Sequence, residues 1–122
     1  MVRQEKRMAP RLKVRWPVTM LTPQAQVEGK IENVSSKGVF VSCKDMPPLE
    51  EGFLLIIRAP DYKSMNLNGR VVWSTILSSR EDGSQFGIGV QFTRMTAEDR
   101  KALHKMIALH YGLKSKEKAG RS

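Results

Sequence analysis

Residues 33–43 read Asn-Val-Ser-Ser-Lys-Gly-Val-Phe-Val-Ser-Cys and contain a turn followed directly by a strand. The run of small and polar residues that ends at Gly38 is typical of a connection between two strands. After it, Val39, Val41 and Cys43 recur at every second position. That spacing puts them on one face of a strand. The stretch therefore predicts a strand that begins at Gly38 and a turn that joins it to the strand before.

Similar strand patterns occur on both sides of this stretch. They lie at residues 18–20, 27–31, 53–57, 67–73 and 86–92. Glycine, proline and aspartate residues separate them, as is usual in turns. About six short strands with no helix between them favour an antiparallel barrel or sandwich. A barrel would also leave no sheet edge exposed. Trp16 and Trp73 lie within the apolar patterns, and we expect both to pack in the core.

The pattern changes to that of a helix near the C-terminus. Thr96 can cap a helix, and Glu98 and Asp99 stand in the first turn, where the helix dipole favours negative charge. Apolar residues follow at helical spacing as far as Gly112, which predicts the end of the helix. We therefore expect a helix over about residues 96–112 and a disordered basic tail over residues 113–122.

The positive charge of the chain is concentrated at its two ends. The net charge is +9, of which residues 1–15 carry +5 and residues 113–122 carry +3, leaving +1 for the rest. Pro10 and Pro17 disfavour a helix in the N-terminal segment. Residues 1–15 are therefore predicted to form a flexible basic arm, and residues 16–112 to form the folded domain. A nearly neutral body with a basic arm favours an anionic partner.

Cysteine and hydropathy patterns indicate the cellular compartment. Cys43 is the single cysteine, so an internal disulfide is excluded and a reducing compartment is expected. No segment approaches the roughly 20 apolar residues needed to span a bilayer, and the N-terminus has no apolar signal region. The sequence predicts a cytoplasmic protein without a transmembrane segment.

Residue patterns for catalysis and metal binding are weak. His104 and His110 stand six residues apart, which differs from the four-residue spacing of a helical metal-binding pair. No serine–histidine–acid set, phosphate-binding loop or paired-carboxylate cleft stands out. We expect a protein that is not an enzyme and has neither a metal nor a cofactor.

Two motifs together identify a family. The first is Arg7-Met8-Ala9-Pro10-Arg11, followed by an apolar lead-in to a strand, and the second is Asn33-Val34-Ser35-Ser36-Lys37-Gly38. In this order they resemble the PilZ family, whose signature is RxxxR before the first strand and [D/N]xSxxG two strands later. The resemblance covers roughly residues 6–93. It implies a six-stranded, split antiparallel β-barrel with a flexible N-terminal arm and one C-terminal α-helix.

The resemblance also implies a ligand, the bacterial second messenger cyclic di-GMP. The residues of this chain that match the binding motifs are Arg7, Arg11, Asn33, Ser35 and Gly38, and Lys6 could help to hold a second ligand molecule. An arginine guanidinium can bind guanine O6 and N7 through two hydrogen bonds, or grip phosphate oxygens. Asn33 stands where many family members have Asp. Because an amide offers one oxygen acceptor and a carboxylate offers two, we expect weaker binding than an Asp version would show.

The sequence leaves the wider role open. As a receptor without an attached output domain, the protein would signal to a separate protein, and the resemblance implies motility, adhesion or exopolysaccharide systems. A degenerate PilZ adaptor that binds a protein and no nucleotide is an alternative. A small barrel that binds single-stranded nucleic acid is another, although the nearly neutral body and an aromatic content of 7% speak against it. We expect no binding to DNA.

Overall fold

The computed structural model describes residues 11–47, 52–60, 63–78 and 80–119. These residues form six strands and one helix. The strands are β1 (Leu12–Leu21), β2 (Gln26–Val34), β3 (Gly38–Cys43), β4 (Phe53–Ile57), β5 (Met65–Ile76) and β6 (Phe86–Arg94), and the helix is α1 (Ala97–Ala119).

The six strands close into a barrel in the order β1-β2-β3-β6-β5-β4, and β4 pairs with β1 to complete it. Every pair of neighbours is antiparallel. The predicted six-stranded antiparallel barrel with one C-terminal helix is therefore confirmed. Closure gives each strand two neighbours, which removes the long unpaired edge that an open sheet of this size would expose.

One continuous core fills the barrel. Each strand sends alternate side chains inward, as its period of two requires, and the following are fully buried: Val18, Ile31, Val41, Leu55, Leu67 and Ile88. Trp16 is also buried, with 5% of its surface exposed, as predicted. Burying each of these aliphatic side chains stabilises the fold by about 1.5–3 kcal/mol before entropy costs are counted.

Helix α1 contributes to the same core. Leu103 and Met106 are buried and belong to the barrel's hydrophobic cluster. The start of the helix is capped as predicted, because the Thr96 hydroxyl accepts the N–H of Asp99 at 3.0 Å and the Asp99 carboxylate accepts the N–H of Thr96 at 3.4 Å. Such a reciprocal pair satisfies backbone donors that a helix start leaves without partners.

The predicted boundary between arm and domain is wrong. The sequence placed residues 1–15 in a flexible arm, but β1 begins at Leu12. Leu12, Val14 and Trp16 alternate with exposed Lys13 and Arg15, and all three apolar side chains are buried. Basic residues on the outer face of the strand obscured this alternation. The remainder of the predicted arm, residues 1–10, lies outside the described residues.

The predicted end of the helix is also wrong. Helix α1 runs through Gly112 to Ala119, where the sequence predicted a disordered tail from residue 113. A glycine inside a helix costs only about 1 kcal/mol relative to alanine. Residues 113–119, Leu-Lys-Ser-Lys-Glu-Lys-Ala, consist mostly of strong helix formers that offset this cost. Among the described residues, no helix is both long and apolar enough to cross a membrane.

Candidate functional site

A row of outward-facing residues crosses five strands of the barrel. Strand pairing sets Lys13 opposite Asn33, Asn33 opposite Phe40, and Phe40 opposite Gly89, which in turn lies opposite Trp73. The row therefore runs from the start of β1 through β2, β3 and β6 to the middle of β5. It brings Asn33 of the second motif next to Lys13, two residues after the first motif, and we call these five residues the cross-strand row.

Irregular pairing flanks this row on three strands. The register shifts between Lys13 and Trp16 on β1, between Ile31 and Asn33 on β2, and between Val71 and Trp73 on β5. Each shift inserts one extra residue into a strand, which bends the strand and turns side chains away from their regular direction. Bulges of this kind are frequent beside functional sites.

Arg11 and Asn33 contact each other directly. The Nε–H of Arg11, just before β1, donates a hydrogen bond of 2.7 Å to Oδ1 of Asn33, near the end of β2. The contact joins the end of the first motif to the start of the second across 22 residues of sequence. Arg11 is exposed, and partial desolvation lowers the pKa of its guanidinium from the usual value. An arginine with a lowered pKa still carries its charge at neutral pH.

Ser35 holds the turn between β2 and β3 from inside. It is fully buried, and its hydroxyl accepts the N–H groups of Lys37 at 3.1 Å and Gly38 at 3.3 Å and donates to the Gly38 carbonyl at 3.5 Å. Its own N–H also donates to that carbonyl, at 2.9 Å. These hydrogen bonds show Ser35 as a turn former.

Gly38 lies where two strands approach closely. A Cβ at this position would overlap the Val90 carbonyl oxygen of β6 and approach the Gln91 Cα to 3.2 Å. The sequence predicted Gly38 to end the turn, and the resemblance implied that it belongs to the binding motif. The structure shows that the missing side chain leaves room for the backbone of β6. Gly38 therefore lets β3 pair with β6 directly after the turn that follows Asn33.

Two aromatic side chains stack on the outer surface next to Asn33. The rings of Phe40 and Trp73 lie 5.5 Å apart at an angle of 17°. The sequence predicted Trp73 to be in the core, which is wrong, because 52% of its surface is exposed.

Glycines on β6 explain this placement. A Cβ on Gly89 would overlap the Trp73 indole, and a Cβ on Gly87 would lie 2.7 Å from Cζ of Phe40. Gly87 and Gly89 thus leave a shallow notch on the outer face in which the two rings lie. Their alternation in the sequence, Gly87-Ile88-Gly89, was the signal that could have indicated an outward-facing aromatic pair.

A charged cleft of about 890 Å³ adjoins the row. Its lining residues are Lys13, Val14, Arg15, Lys30, Glu32, Arg80, Glu81 and Asp82. Arg80 pairs with Glu32, and Lys30 lies 3.7 Å from Asp82. The backbone N–H of Ser84 donates to Asp82, and this bond, together with Lys30 and Arg80, lowers the pKa of the Asp82 carboxyl. Sequence reasoning missed Lys30 and Arg80 because they lie apart in sequence from both motifs.

The two remaining candidates cannot be placed on this surface, since Lys6 and Arg7 lie outside the described residues. No cluster of three or more histidine, cysteine, aspartate or glutamate side chains suited to a metal occurs within the described ranges. The site thus consists of exposed guanidinium, ammonium and amide groups beside an aromatic face. Such a combination suits an anionic ligand that carries aromatic rings.

Solved structures of known proteins share this fold. The PilZ domain of YcgR from Escherichia coli, solved with c-di-GMP, matches with a TM-score of 0.74 at 10% identity, covering 96% of this chain and 99% of that one. The PilZ domain of CeSA from a cellulose synthesizing bacterium matches with a TM-score of 0.57 at 19% identity, covering 86% and 98%.

A longer protein, the Bacillus subtilis inhibitor of motility MotI/DgrA, matches with a TM-score of 0.70 at 18% identity. That match covers 89% of this chain but 52% of MotI/DgrA, so the chain spans about half the length of that protein. No curated protein sequence matches the chain. The family model of the PilZ domain matches residues 3–109. Since that match includes both motifs, all six strands and most of the helix, the chain belongs to the PilZ domain family.

Proposed function

We propose that this protein is a receptor for cyclic di-GMP and not an enzyme, and that it needs no cofactor besides this ligand. The observation that carries the proposal is the hydrogen bond between Arg11 and Asn33, since it brings the two motifs together on one surface. The c-di-GMP in the PilZ domain of YcgR, a protein with the same fold, supports the choice of ligand. The proposed ligand-binding residues are Arg7, Arg11 and Asn33, with Lys6 as a further contact, and Ser35 and Gly38 shape the turn beside them.

Arg11 has the donors that such a ligand requires. Its Nε–H is used by Asn33, but the two terminal nitrogens of the guanidinium carry four further N–H groups. A planar pair of these donors complements O6 and N7 of a guanine, or two oxygens of a phosphate. Lys13, in the cross-strand row, adds a positive charge at the outer surface for a second phosphate of the ligand.

The aromatic pair offers a surface for a base. Phe40 lies directly opposite Asn33 on the neighbouring strand, and Trp73 stacks on Phe40 with half of its surface exposed. Stacking of a base on an aromatic side chain is worth about 1–3 kcal/mol. We propose that one guanine lies against this pair while its edge faces Arg11.

The receptor would act through a change in its N-terminal arm. We propose that Arg7 closes over the bound ligand, so that residues 1–10 become ordered and present a new surface to a separate partner protein. Partners in motility, adhesion or exopolysaccharide systems remain the proposed class. The similar proteins are an inhibitor of motility and a domain from a cellulose synthesizing bacterium, which supports this range without choosing within it.

Calorimetric titration with cyclic di-GMP tests the proposal. The wild type should give saturable heat, and Arg7→Ala and Arg11→Ala should each lose it, since each removes a group that contacts the ligand. Arg94→Ala removes an exposed arginine five residues along β6 from Gly89 and is the matched control that should bind normally. GTP, which has one guanine and a linear phosphate chain, should give no comparable heat.

The same titration distinguishes the remaining possibilities. A stoichiometry near two ligands per chain would agree with a second molecule held by Lys6, and a value near one would exclude it. Absence of heat with cyclic di-GMP across the accessible concentrations would overturn the receptor proposal and favour a PilZ adaptor that binds a protein alone.

A further inference from the structure

Arg11 determines which way the Asn33 amide points. The Nε–H of a guanidinium can only donate a hydrogen bond, so the atom of Asn33 that lies 2.7 Å away must be the oxygen, Oδ1. The other end of the amide, Nδ2, is a pair of donors. Asn33 is only partly buried, so this donor end can face a ligand on the outer surface of the barrel.

This orientation conflicts with one edge of guanine. The N1–H and the 2-amino group of guanine are neighbouring donors, and they need two neighbouring acceptors. A carboxylate supplies two acceptor oxygens. Asn33 supplies one oxygen, which already accepts the Nε–H of Arg11. Its N–H₂ group is a donor and would repel the N–H donors of guanine. The residue therefore fits this edge poorly.

Two of the three carboxylates in the adjoining cleft are also occupied. Of the three acids that line the adjoining cleft, Glu32 pairs with Arg80, and Asp82 accepts the N–H of Ser84 and lies 3.7 Å from Lys30. Glu81 is the third, and it is exposed. The donors at this contact are the terminal nitrogens of Arg11 and Nδ2 of Asn33, and they complement the O6 and N7 acceptors of a purine.

We propose that Asn33 makes this protein indifferent to the 2-amino group, so that it recognises cyclic dinucleotides of 6-oxopurines, guanine and hypoxanthine alike, through O6 and N7. This inference rests on the proposed function, and it makes Asn33 a specificity-determining residue. Adenine carries an amino group in place of O6, so it presents a donor to the guanidinium and is rejected.

Binding of three cyclic dinucleotides tests the inference. Cyclic di-IMP retains O6 and N7 of cyclic di-GMP and lacks the 2-amino groups, and cyclic di-AMP lacks O6. For the wild type, the dissociation constants for cyclic di-IMP and cyclic di-GMP should agree within about twofold, because no charged acceptor reads the 2-amino group. Cyclic di-AMP should bind at least about tenfold more weakly than either.

Variants of Asn33 show whether the effect arises at this residue. Asn33→Asp provides the two acceptors, so it should bind cyclic di-GMP more tightly than the wild type and prefer it to cyclic di-IMP by about tenfold or more. Asn33→Ala should keep the wild-type ratio between these two ligands. Asn66→Asp makes the same chemical change at an exposed position of β5, outside the cross-strand row, and should leave the ratio unchanged.

Two results would overturn the inference while leaving the receptor proposal intact. One is a preference for cyclic di-GMP over cyclic di-IMP in the wild type that Asn33→Ala reduces severalfold, because Asn33 would then read the 2-amino group. The other is an Asn33→Asp variant with the same ratio as the wild type. Failure of all three ligands to bind the wild type would instead overturn the receptor proposal and this inference together.

Discussion

Ser35 illustrates how one residue can serve a site without touching a ligand. Its hydroxyl bonds to the backbone of Lys37 and Gly38, and none of its surface is exposed. The turn that it stabilises fixes the position of Asn33, near the end of β2, relative to Phe40 on β3. A serine hydroxyl is small enough to be enclosed here and makes three hydrogen bonds within four residues.

Replacement of Ser35 should therefore affect stability. Ser35→Ala leaves the buried N–H of Gly38 and the N–H of Lys37 without their side-chain acceptor, which we expect to lower the free energy of unfolding by about 1–3 kcal/mol. Urea denaturation followed by circular dichroism measures this change. Ser36→Ala, one residue along the same turn, is the control and should change it by less than about 0.5 kcal/mol. A stable Ser35→Ala variant with impaired ligand binding would indicate a direct ligand contact.

Cys43 gives a second prediction for a single residue. Burial, and to a smaller extent the negative charge of Asp45, raises the pKa of its thiol to about 11. In the unfolded chain a cysteine has a pKa of about 8.5. Between these two values the unfolded state releases a proton that the folded state keeps, so folding stability should fall as the pH rises from about 8.5 to about 11.

Comparison with Cys43→Ala isolates this effect. Other groups titrate in the same range and contribute equally to both proteins. The free energy of unfolding of each protein is therefore measured at about pH 8 and about pH 10.5, and the two decreases are compared. The wild type should lose up to about 2–3 kcal/mol more than the variant, the upper limit set by the pKa difference. Equal losses in the two proteins would show that the thiol does not titrate differently in the folded state.

Strands β5 and β6 act together to form the aromatic part of the site. An extra residue between Val71 and Trp73 shifts β5 relative to β6 and sets Trp73 opposite Gly89 on the outer face. Gly89 has no side chain to displace the indole, which therefore lies flat next to Phe40. Neither strand alone specifies this arrangement.

Removal of the indole should weaken ligand binding with little cost in stability. Because Trp73 is half-exposed, we expect Trp73→Ala to reduce affinity for cyclic di-GMP by about 1–3 kcal/mol, the usual contribution of a base stacked on an aromatic ring. Titration calorimetry measures it. Gly89→Ala should weaken binding in the same direction, because its Cβ displaces the indole. Ile76→Ala, at an exposed position of the same strand, is the control, and equal affinity of Trp73→Ala and wild type would exclude a stacking role.

At the level of the whole molecule, barrel and helix share one hydrophobic core. Leu103 of α1 is fully buried in the cluster that also contains residues of all six strands. The helix is thus a structural part of the domain and should unfold together with the barrel. We expect a single cooperative transition, as is usual for a domain of this size.

Truncation of Leu103 tests whether the helix and the barrel unfold together. Leu103→Ala should lower the free energy of unfolding by about 2–5 kcal/mol, since it creates a cavity in a fully packed core. Leu109→Ala removes the same atoms from a side chain that is 44% exposed and should cost much less. Circular dichroism of the helix and fluorescence of Trp16 and Trp73, both on barrel strands, should show coincident transitions. Separate transitions for the two signals would mean that the helix docks as an independent unit.

The strands were predictable because local physics specifies them. Alternation of apolar residues, as in Val39 and Val41, places one face of a strand inward whichever strand it pairs with. Turn residues and the Thr96 cap likewise act within a few residues of the chain. The order of the two motifs, together with this pattern, was enough to predict the family and the number of strands.

The boundaries were less predictable. Lys13 and Arg15 gave the start of β1 the composition of a solvated arm, although the alternating Leu12 and Val14 are buried in the barrel core. At the other end, Gly112 opposes the helix by a small local cost that the following residues offset. In both places two weak local tendencies compete, and a single residue does not indicate which prevails.

The composition of the site depended on contacts between distant residues. Its motif residues Arg11, Asn33 and Gly38 could be named from the order of residues, since each carries a chemical group or a conformational property of its own. The hydrogen bond that orients Asn33, the placement of Trp73 on the surface and the cations Lys30 and Arg80 depend on strand register across the closed barrel. Register is fixed by the packing of all six strands and by the bulges between them, so a change of one residue in pairing would turn Lys30, Asn33 and Trp73 to the opposite face.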